Sequence, residues 1–135
     1  MKKLNFELVK CSEEYWEFVR KLRNNSEVSN AFIDKTIITK DQQVEYMKKN
    51  SKHFRIGLID GKPAGYFGVI NKDIRICTHP DFQKSGLGKF MLDELQQLWP
   101  ESFAKIKIEN TASSNLFESA GYKKKKEIKI DGSTY

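Results

Sequence analysis

The residues best suited to chemistry lie in one stretch, His79-Pro80-Asp81-Phe82-Gln83-Lys84-Ser85-Gly86-Leu87-Gly88-Lys89, which joins a strand-like segment to the start of an amphipathic one. Two glycines stand where the chain turns, and without side chains they let backbone N–H groups come close to an anion. The helix that follows adds unpaired donors and a partial positive charge at its N-terminus. What this offers is phosphate binding by the backbone. A Walker A loop is excluded, since it needs Gly where Gln83 stands and Ser or Thr where Phe90 stands. The dinucleotide fingerprint needs a third glycine, at Met91, and an acidic residue closing a later strand, so Gly86 and Gly88 alone match it poorly.

The pattern that remains is Gln/Arg-x-x-Gly-x-Gly/Ala, and with the preceding His-Pro-Asp-Phe the segment resembles the pyrophosphate loop of the GNAT acetyltransferase superfamily. A second segment strengthens the resemblance: Asn110, Leu116, Phe117, Glu118, Gly121 and Tyr122 look like the superfamily's later Asn, Leu-Tyr-Glu and Gly-Phe pattern, at the same spacing. The likeness covers about Ala64 to Tyr122, while residues 1–52 agree only in their strand, helix, helix order.

The resemblance implies an N-acetyltransferase that takes acetyl-CoA as co-substrate and acetylates a primary amine by direct attack, with no acyl-enzyme and no metal. By the same resemblance the backbone of Cys77 and Thr78 holds the pantetheine arm. The amides of Gln83, Lys84, Ser85, Gly86, Leu87, Gly88 and Lys89 hold the pyrophosphate, and Asn110 and Phe117 lie further along the cofactor. Cys77 is then not a nucleophile. Phe117 departs from the family, since many members carry there a tyrosine thought to protonate the leaving thiolate, and Phe has no proton to give. Tyr122, a hydroxyl of Ser113 or Ser114, or water stand open as substitutes. A base is needed too, because an alkyl amine is mostly protonated at neutral pH; Asp73 is the carboxylate singled out, against a reading as a turn residue.

These residues need elements to position them. Leu4, Phe6 and Leu8 alternate with polar residues as in a half-buried strand. Ser12 is placed to cap a helix with Tyr15, Trp16, Val19 and Leu22 on one face. Residues 24–39 lack a clear period and read as a loop or short helix, before the capping-box pattern Thr39-Lys40-Asp41-Gln42 opens a second helix carrying Val44 and Met47. Residues 54–59, Asp60-Gly61 and residues 64–70 read as a hairpin, since Asp-Gly supplies positive φ. Asn71-Lys72 makes another turn into a strand over 73–78, with Ile74 and Ile76 on one side and Asp73, Arg75 and Cys77 on the other.

A helix from about Gly86 to Trp99, stopped by Pro100, buries Leu87, Phe90, Met91, Leu95 and Leu98. A parallel strand over 103–108 follows by a right-handed crossover. Then come a helix over 111–120 closed by Gly121, and a last strand over 122–130 whose lysines guard an edge. The expected fold class is α/β (α+β): a GNAT-like mixed, mostly antiparallel sheet of about six to seven strands with about four helices, in one acetyltransferase domain spanning 1–135.

Composition fits this frame. A chain of 135 residues with 39% hydrophobic and 31% charged residues is globular rather than disordered. The net charge of +6 suits an anionic partner without choosing one, and the run Lys123 to Lys126 reads as a solvated face. Cys11 and Cys77 form no Cys-x-x-Cys pair, and His53 and His79 have no partner at metal-ligand spacing, so neither a disulfide framework nor a metal is expected. With no signal peptide or apolar span read in the sequence, the expectation is a cytoplasmic protein, monomer or homodimer, with no membrane partner.

The aromatics fall at core spacings, which disfavours nucleic acid as the partner. The acceptor is a small-molecule or peptide amine, shaped by residues 24–39 and the strand around Tyr66. Leu22-Arg23-Asn24, Val28 and residues 38–46 look faintly like acetyltransferases that modify nucleotide-linked amino sugars. Two other readings stay open. One is a non-catalytic acyl-CoA-binding or sensor module of the same fold, suggested by Phe117; the other is an anion-binding module for nucleic acid, suggested by the charge.

Overall fold

Four successive stretches of alternating apolar residues pair into one antiparallel sheet in chain order: β1 (Phe6–Lys10), β2 (Phe54–Ile59), β3 (Lys62–Ile70) and β4 (Asp73–Thr78). The computed structural model describes residues 4–25, 37–106, 110–123, 129–130 and 133–134. Both expected hairpins form. Asp60 and Gly61 take φ of 51° and 83°, and Asn71 and Lys72 take 53° and 67°, the paired positive values of a tight hairpin turn. The β2–β3 register slips between Gly57 and Leu58, leaving Ala64 as the extra residue of a bulge.

Because side chains alternate across a strand, the sheet has two packed faces. On one, Ile56, Tyr66 and Cys77 join Val19 and Leu22 of α1 (Trp16–Asn24) and Met47 of α2 (Lys40–Asn50). On the other, Phe67, Val69 and Ile74 meet α3 (Leu87–Leu98) and Phe117 of α4 (Thr111–Ser119). Leu87, Met91, Leu92 and Leu95 of α3 are wholly buried, each contributing about 1.5–3 kcal/mol. Gly57 and Gly65 let α3 settle this close: a Cβ on Gly57 would lie 2.8 Å from Met91 Sδ, and one on Gly65 2.7 Å from the Cys77 carbonyl oxygen. The N-terminus of α3 is thereby fixed against the sheet, just beyond the end of β4.

Several local expectations are corrected. Ser12 does not cap a helix with its side chain; its hydroxyl donates to Glu14 Oε1 at 3.1 Å, and a 3-10 turn over Glu13–Tyr15 precedes α1. The capping box at Thr39 forms in full, with Gln42 N–H donating to Thr39 Oγ1 at 3.2 Å and Thr39 N–H to Gln42 Oε1 at 2.9 Å. Within α2, however, Val44 is exposed and Gln43 is buried, its Nε2 donating to the Trp16 carbonyl at 2.8 Å. That bond ties α2 to α1 and removes the cost of burying the amide. Along α3, Leu92 replaces Leu98 on the apolar face, because buried positions recur at 87, 91 and 95 with 92 beside them.

The largest correction concerns the sheet: among the described residues its main body has four strands, not six to seven. Among the described residues the expected parallel strand beginning at Phe103 makes a single bridge, to Asp73, through Ile74 N–H to Phe103 O (2.7 Å) and Phe103 N–H to Lys72 O (2.8 Å). Beyond it Ala104 and Ile106 pack on the α3–α4 side, so packing rather than a ladder holds this segment; residues 107–109 lie outside the described set. Of the expected strand over 122–130, residues 124–128 also lie outside it. Lys129–Ile130 (β5) pairs instead with Ser133–Thr134 (β6), with Asp131-Gly132 between them in sequence, the same hairpin signal as Asp60-Gly61. No described helix is long and apolar enough to cross a membrane.

Candidate functional site

After β4 the chain is held in a tight turn: the Asp81 N–H donates to His79 Nδ1 at 3.1 Å, and Phe82 N–H to the His79 carbonyl at 2.9 Å. This accounts for His-Pro-Asp-Phe as a scaffold and gives His79 a structural role. Lys84 and Gly86 then both adopt positive φ, 65° and 95°, with Ser85 between them. Alternation of left-handed and ordinary residues turns consecutive N–H groups toward one point, the nest geometry that receives anions. Ser85 Oγ accepts from Leu87 N–H at 3.3 Å, and Phe90 N–H donates back to Gly86 O at 3.1 Å. Among the described residues the amides of Gly86, Gly88 and Lys89 have no acceptor.

The other loop positions divide by role. Gln83 and Lys84 are exposed, while Lys89 turns along the helix to Asp93 at 3.2 Å. A Cβ on Gly88 would lie 3.0 Å from Leu116 Cδ2, so this glycine also permits close packing of α4 on α3.

The edge of β4 is the second half of the site. Successive residues of a strand turn their N–H and C=O to opposite edges. Ile74 N–H points outward to Phe103 and His79 N–H points inward to Ala64, so Ile76 and Thr78 present their N–H and C=O outward, whereas Cys77 pairs inward with Tyr66. Past the single bridge at Asp73 this outer edge has no partner among the described residues. The backbone groups of Ile76 and Thr78 thus lie on the outer edge, and those of Cys77 are paired within the sheet; of the three, Ile76 was not singled out from the sequence. The edge choice was not visible in the sequence because it depends on which side Phe103 docks.

The Cys77 side chain is buried on the α1–α2 face, and burial pushes its thiol from 9.0 up to about 12; burial likewise raises Cys11 to about 11. A neutral, shielded thiol is a poor nucleophile. The sign of the linkage follows: the fold favours the protonated thiols, whereas in the unfolded chain they ionise near pH 9, so this stability is complete below pH 9 and lost as pH rises through 11 to 12. We expect the urea midpoint to be level between pH 7 and 8.5 and to fall above pH 9; a midpoint level to pH 11 would contradict the burial of these groups.

Asn110 caps α4, its Oδ1 accepting from Ser113 N–H at 3.2 Å, which leaves its Nδ2 without an acceptor among the described residues. Phe117 is buried and packs edge-on against Tyr122, ring centroids 5.1 Å apart. The Tyr122 hydroxyl is buried beside Ser102 and Gln96, neither of which meets hydrogen-bond geometry with it. Gln96 lies about 15 Å along α3 from Gly86, at 1.5 Å per residue. Asp73 stands at the far end of β4 from the loop, 3.6 Å from Lys105 Nζ. No group of three or more His, Cys, Asp or Glu among the described residues could hold a metal ion.

On the α1–α2 face an open cleft of about 380 Å³ lies over Tyr66, with Ile38 on its rim. The expected acceptor wall over 24–39 is described only at its ends, since 26–36 fall outside the described residues. Arg23 and Arg75 line this cleft; Arg23 entered the sequence reading only within Leu22-Arg23-Asn24, and Arg75 was given no role there.

A four-stranded antiparallel sheet with helices on both faces, an edge of its last strand open beyond Asp73 and an amide nest past that edge is the fold class of the N-acetyltransferases. The chain belongs to the acetyltransferase (GNAT) domain family, whose model matches residues 50–124, and is an acyltransferase. Solved structures share the fold at low identity. A ribosomal-protein-alanine N-acetyltransferase from Brucella melitensis superposes with TM-score 0.80 at 15% identity, covering 95% of this chain and 94% of that one. A spermidine N-acetyltransferase from Vibrio cholerae, in complex with CoA and spermine, gives 0.75 at 15%, with 98% and 92% covered. The aminoglycoside acetyltransferase AAC(6')-Ib in complex with coenzyme A gives 0.72 at 16%, with 96% and 91% covered. No curated protein matches the sequence.

Proposed function

We propose that this protein transfers the acetyl group of acetyl-CoA to a primary amine. The observation that carries the reading is the conjunction of the Lys84–Gly86 nest and the open edge of β4, because CoA combines a pyrophosphate with an amide-bearing arm. The pyrophosphate is received by the amides of Gly86, Gly88 and Lys89 at the N-terminus of α3. The pantetheine amides hydrogen-bond to the outward groups of Ile76 and Thr78, as a strand added to a free edge does. Asn110 Nδ2 donates further along the arm.

In the reaction the neutral amine attacks the thioester carbonyl carbon; a C–N bond forms, the C–S bond breaks and CoA leaves as the thiolate. Much of the rate then comes from holding the two reactants in position. Asp73 is the proposed acceptor of the proton lost by nitrogen, kept on the β4 face by Lys105. Solvent protonates the thiolate, since Phe117 has no proton to donate and the Tyr122 hydroxyl is buried toward the other end of α3.

The test is a melting titration with acetyl-CoA, CoA, ATP and a short DNA duplex, followed by thiol release with a panel of amines. A ligand that binds only the native state raises the melting midpoint. We expect saturable shifts with acetyl-CoA and CoA, little with the others, and thiol release that D73N slows. No shift with acetyl-CoA would refute the reading; binding without turnover of any amine would favour the non-catalytic module, and an unchanged D73N would remove Asp73 as base.

A further inference from the structure

The turn that leads from β4 into the nest hangs on one side chain. The His79 N–H donates to the Ala64 carbonyl of β3 at 2.7 Å, which ties the start of the turn to the sheet. Its ring nitrogen Nδ1 accepts the Asp81 N–H at 3.1 Å, and its carbonyl accepts the Phe82 N–H at 2.9 Å. The ring also meets Phe82 edge-on, centroids 6.1 Å apart, while Phe82 packs on the α3 core. From there the Gln83 N–H reaches the Pro80 carbonyl at 3.4 Å, and the Ser85 N–H the Phe82 carbonyl at 3.3 Å. Ser85 is the middle residue of the nest, so the aim of the amides around it is set by a run of local bonds that starts at His79.

One protonation state of the imidazole allows this. To accept a backbone N–H, Nδ1 must carry a lone pair, which puts the ring proton on Nε2. A proton at Nδ1 removes that lone pair and turns the nitrogen into a donor, for which Asp81 Oδ2 stands 3.7 Å away. Asp81 thus offers Nδ1 two exclusive partners: its amide for the neutral ring, its carboxylate for the imidazolium. The side chain of His79 is 32% exposed and exchanges protons with solvent. Around it, Lys62 on β3 and Lys84 in the loop are exposed, and Lys89 on α3 turns to Asp93; among the described residues the Asp81 carboxylate is the acid within ion-pair reach of the ring.

Resting on the acetyltransferase reading, we propose that His79 is a positioning residue for the cofactor: the neutral ring holds the nest in its anion-receiving form, and a proton on Nδ1 releases it. Acidification therefore weakens acetyl-CoA binding through the turn. The direction is diagnostic, because a histidine acting by charge alone would bind a pyrophosphate more tightly once protonated.

Acetyl-CoA affinity would be measured by calorimetric titration between about pH 5.5 and 8, the range in which imidazoles change charge, on wild type, His79→Asn and His79→Ala, with a melting curve of each. Asn offers an oxygen on the same Cγ to the amide two residues on and does not titrate. The cofactor's own phosphate titrates in this range for all three proteins, so the ratio of wild type to H79N isolates the ring. We expect that ratio of affinities to fall about threefold or more from the alkaline to the acid end, as the loss of one hydrogen bond implies. H79A should bind more weakly than wild type at the alkaline end by a similar factor, and Asn should recover most of what Ala loses. Ring nitrogen NMR of the wild type, its two histidines told apart with His53→Asn, should show His79 protonated on Nε2 alone at the alkaline end. That spectrum tests the proposal even where the His79 variants do not fold. A proton on Nδ1 there, a ratio that stays level or rises on acidification, or H79A binding like wild type overturns this proposal alone. Failure of the wild type to bind acetyl-CoA overturns the acetyltransferase reading and this proposal with it.

Discussion

Replacing Gly86 by valine is expected to weaken acetyl-CoA binding by at least about a hundredfold while the protein stays folded. Gly86 sits at φ 95°, where a β-branched residue is strained, and such strain costs of order 1–3 kcal/mol. Sterics add little, because a Cβ there would stand 3.6 Å from the Phe6 ring, an ordinary contact. The loop is exposed and is free to relieve the strain by leaving the left-handed region, so the core does not carry the loss. What is lost is the nest. Bonds from N–H groups to a charged oxygen contribute about 1.5–3 kcal/mol each. Misdirecting two of them removes ~3 kcal/mol or more, and a factor of ten corresponds to ~1.4 kcal/mol. Calorimetric titration with acetyl-CoA, beside a melting curve of the variant alone, checks both halves of the statement. Affinity within threefold of wild type, in a folded G86V, would show that the loop is only a turn.

This experiment separates two meanings of glycine that the sequence could not. Gly86 has only an ordinary contact with Phe6 and an unusual φ, which marks a conformational role; Gly88 has the reverse, a Leu116 methyl close by and a place inside α3. Both fall in the same six-residue motif. Sequence spacing named the motif because backbone conformation there is set locally, by Gly, by the Ser85 hydroxyl that accepts from Leu87 N–H and by the His79 turn. The hairpins at Asp60-Gly61 and Asn71-Lys72, and the capping box at Thr39, were legible for the same reason: each is decided by residues within four positions of one another.

What stayed hidden depends on contacts distant in sequence. Gln43 reads as a solvent residue of α2 until the Trp16 carbonyl arrives to accept its amide. The strand expected from Phe103 has suitable composition, but whether it pairs along its length is decided by where Ala104 and Ile106 find apolar cover. Arg23 and Arg75, 52 positions apart, line one cleft only because α1 packs on the face of β4 that carries the odd-numbered residues. Alternation did assign Arg75 to that face, beside Cys77, yet a sequence gives no reason to expect a second cation opposite. The loop proposed to hold the cofactor is thus built locally, whereas the cleft over Tyr66 is assembled from separate elements.

Thr78→Pro carries the second large effect expected, a rise in the KM for acetyl-CoA of about thirtyfold or more. Proline removes one backbone N–H and is tolerated in sheets where that group faces away from the ladder. At Thr78 it does, since the inward bonds of this part of β4 belong to Cys77 and to His79, whose N–H donates to Ala64 O at 2.7 Å. The residue before a proline is pushed toward extended backbone, and Cys77 already lies within a strand. The sheet should therefore survive, which a melting curve reports. The pantetheine arm, however, loses a donor at the open edge and meets the ring Cδ in the space it would occupy. Thr78→Val alters the side chain and keeps the N–H, so it should leave the KM within about twofold. Equal behaviour of the two variants would mean that the arm does not run along this edge, and the nest at Gly86 would then need a different ligand to explain it.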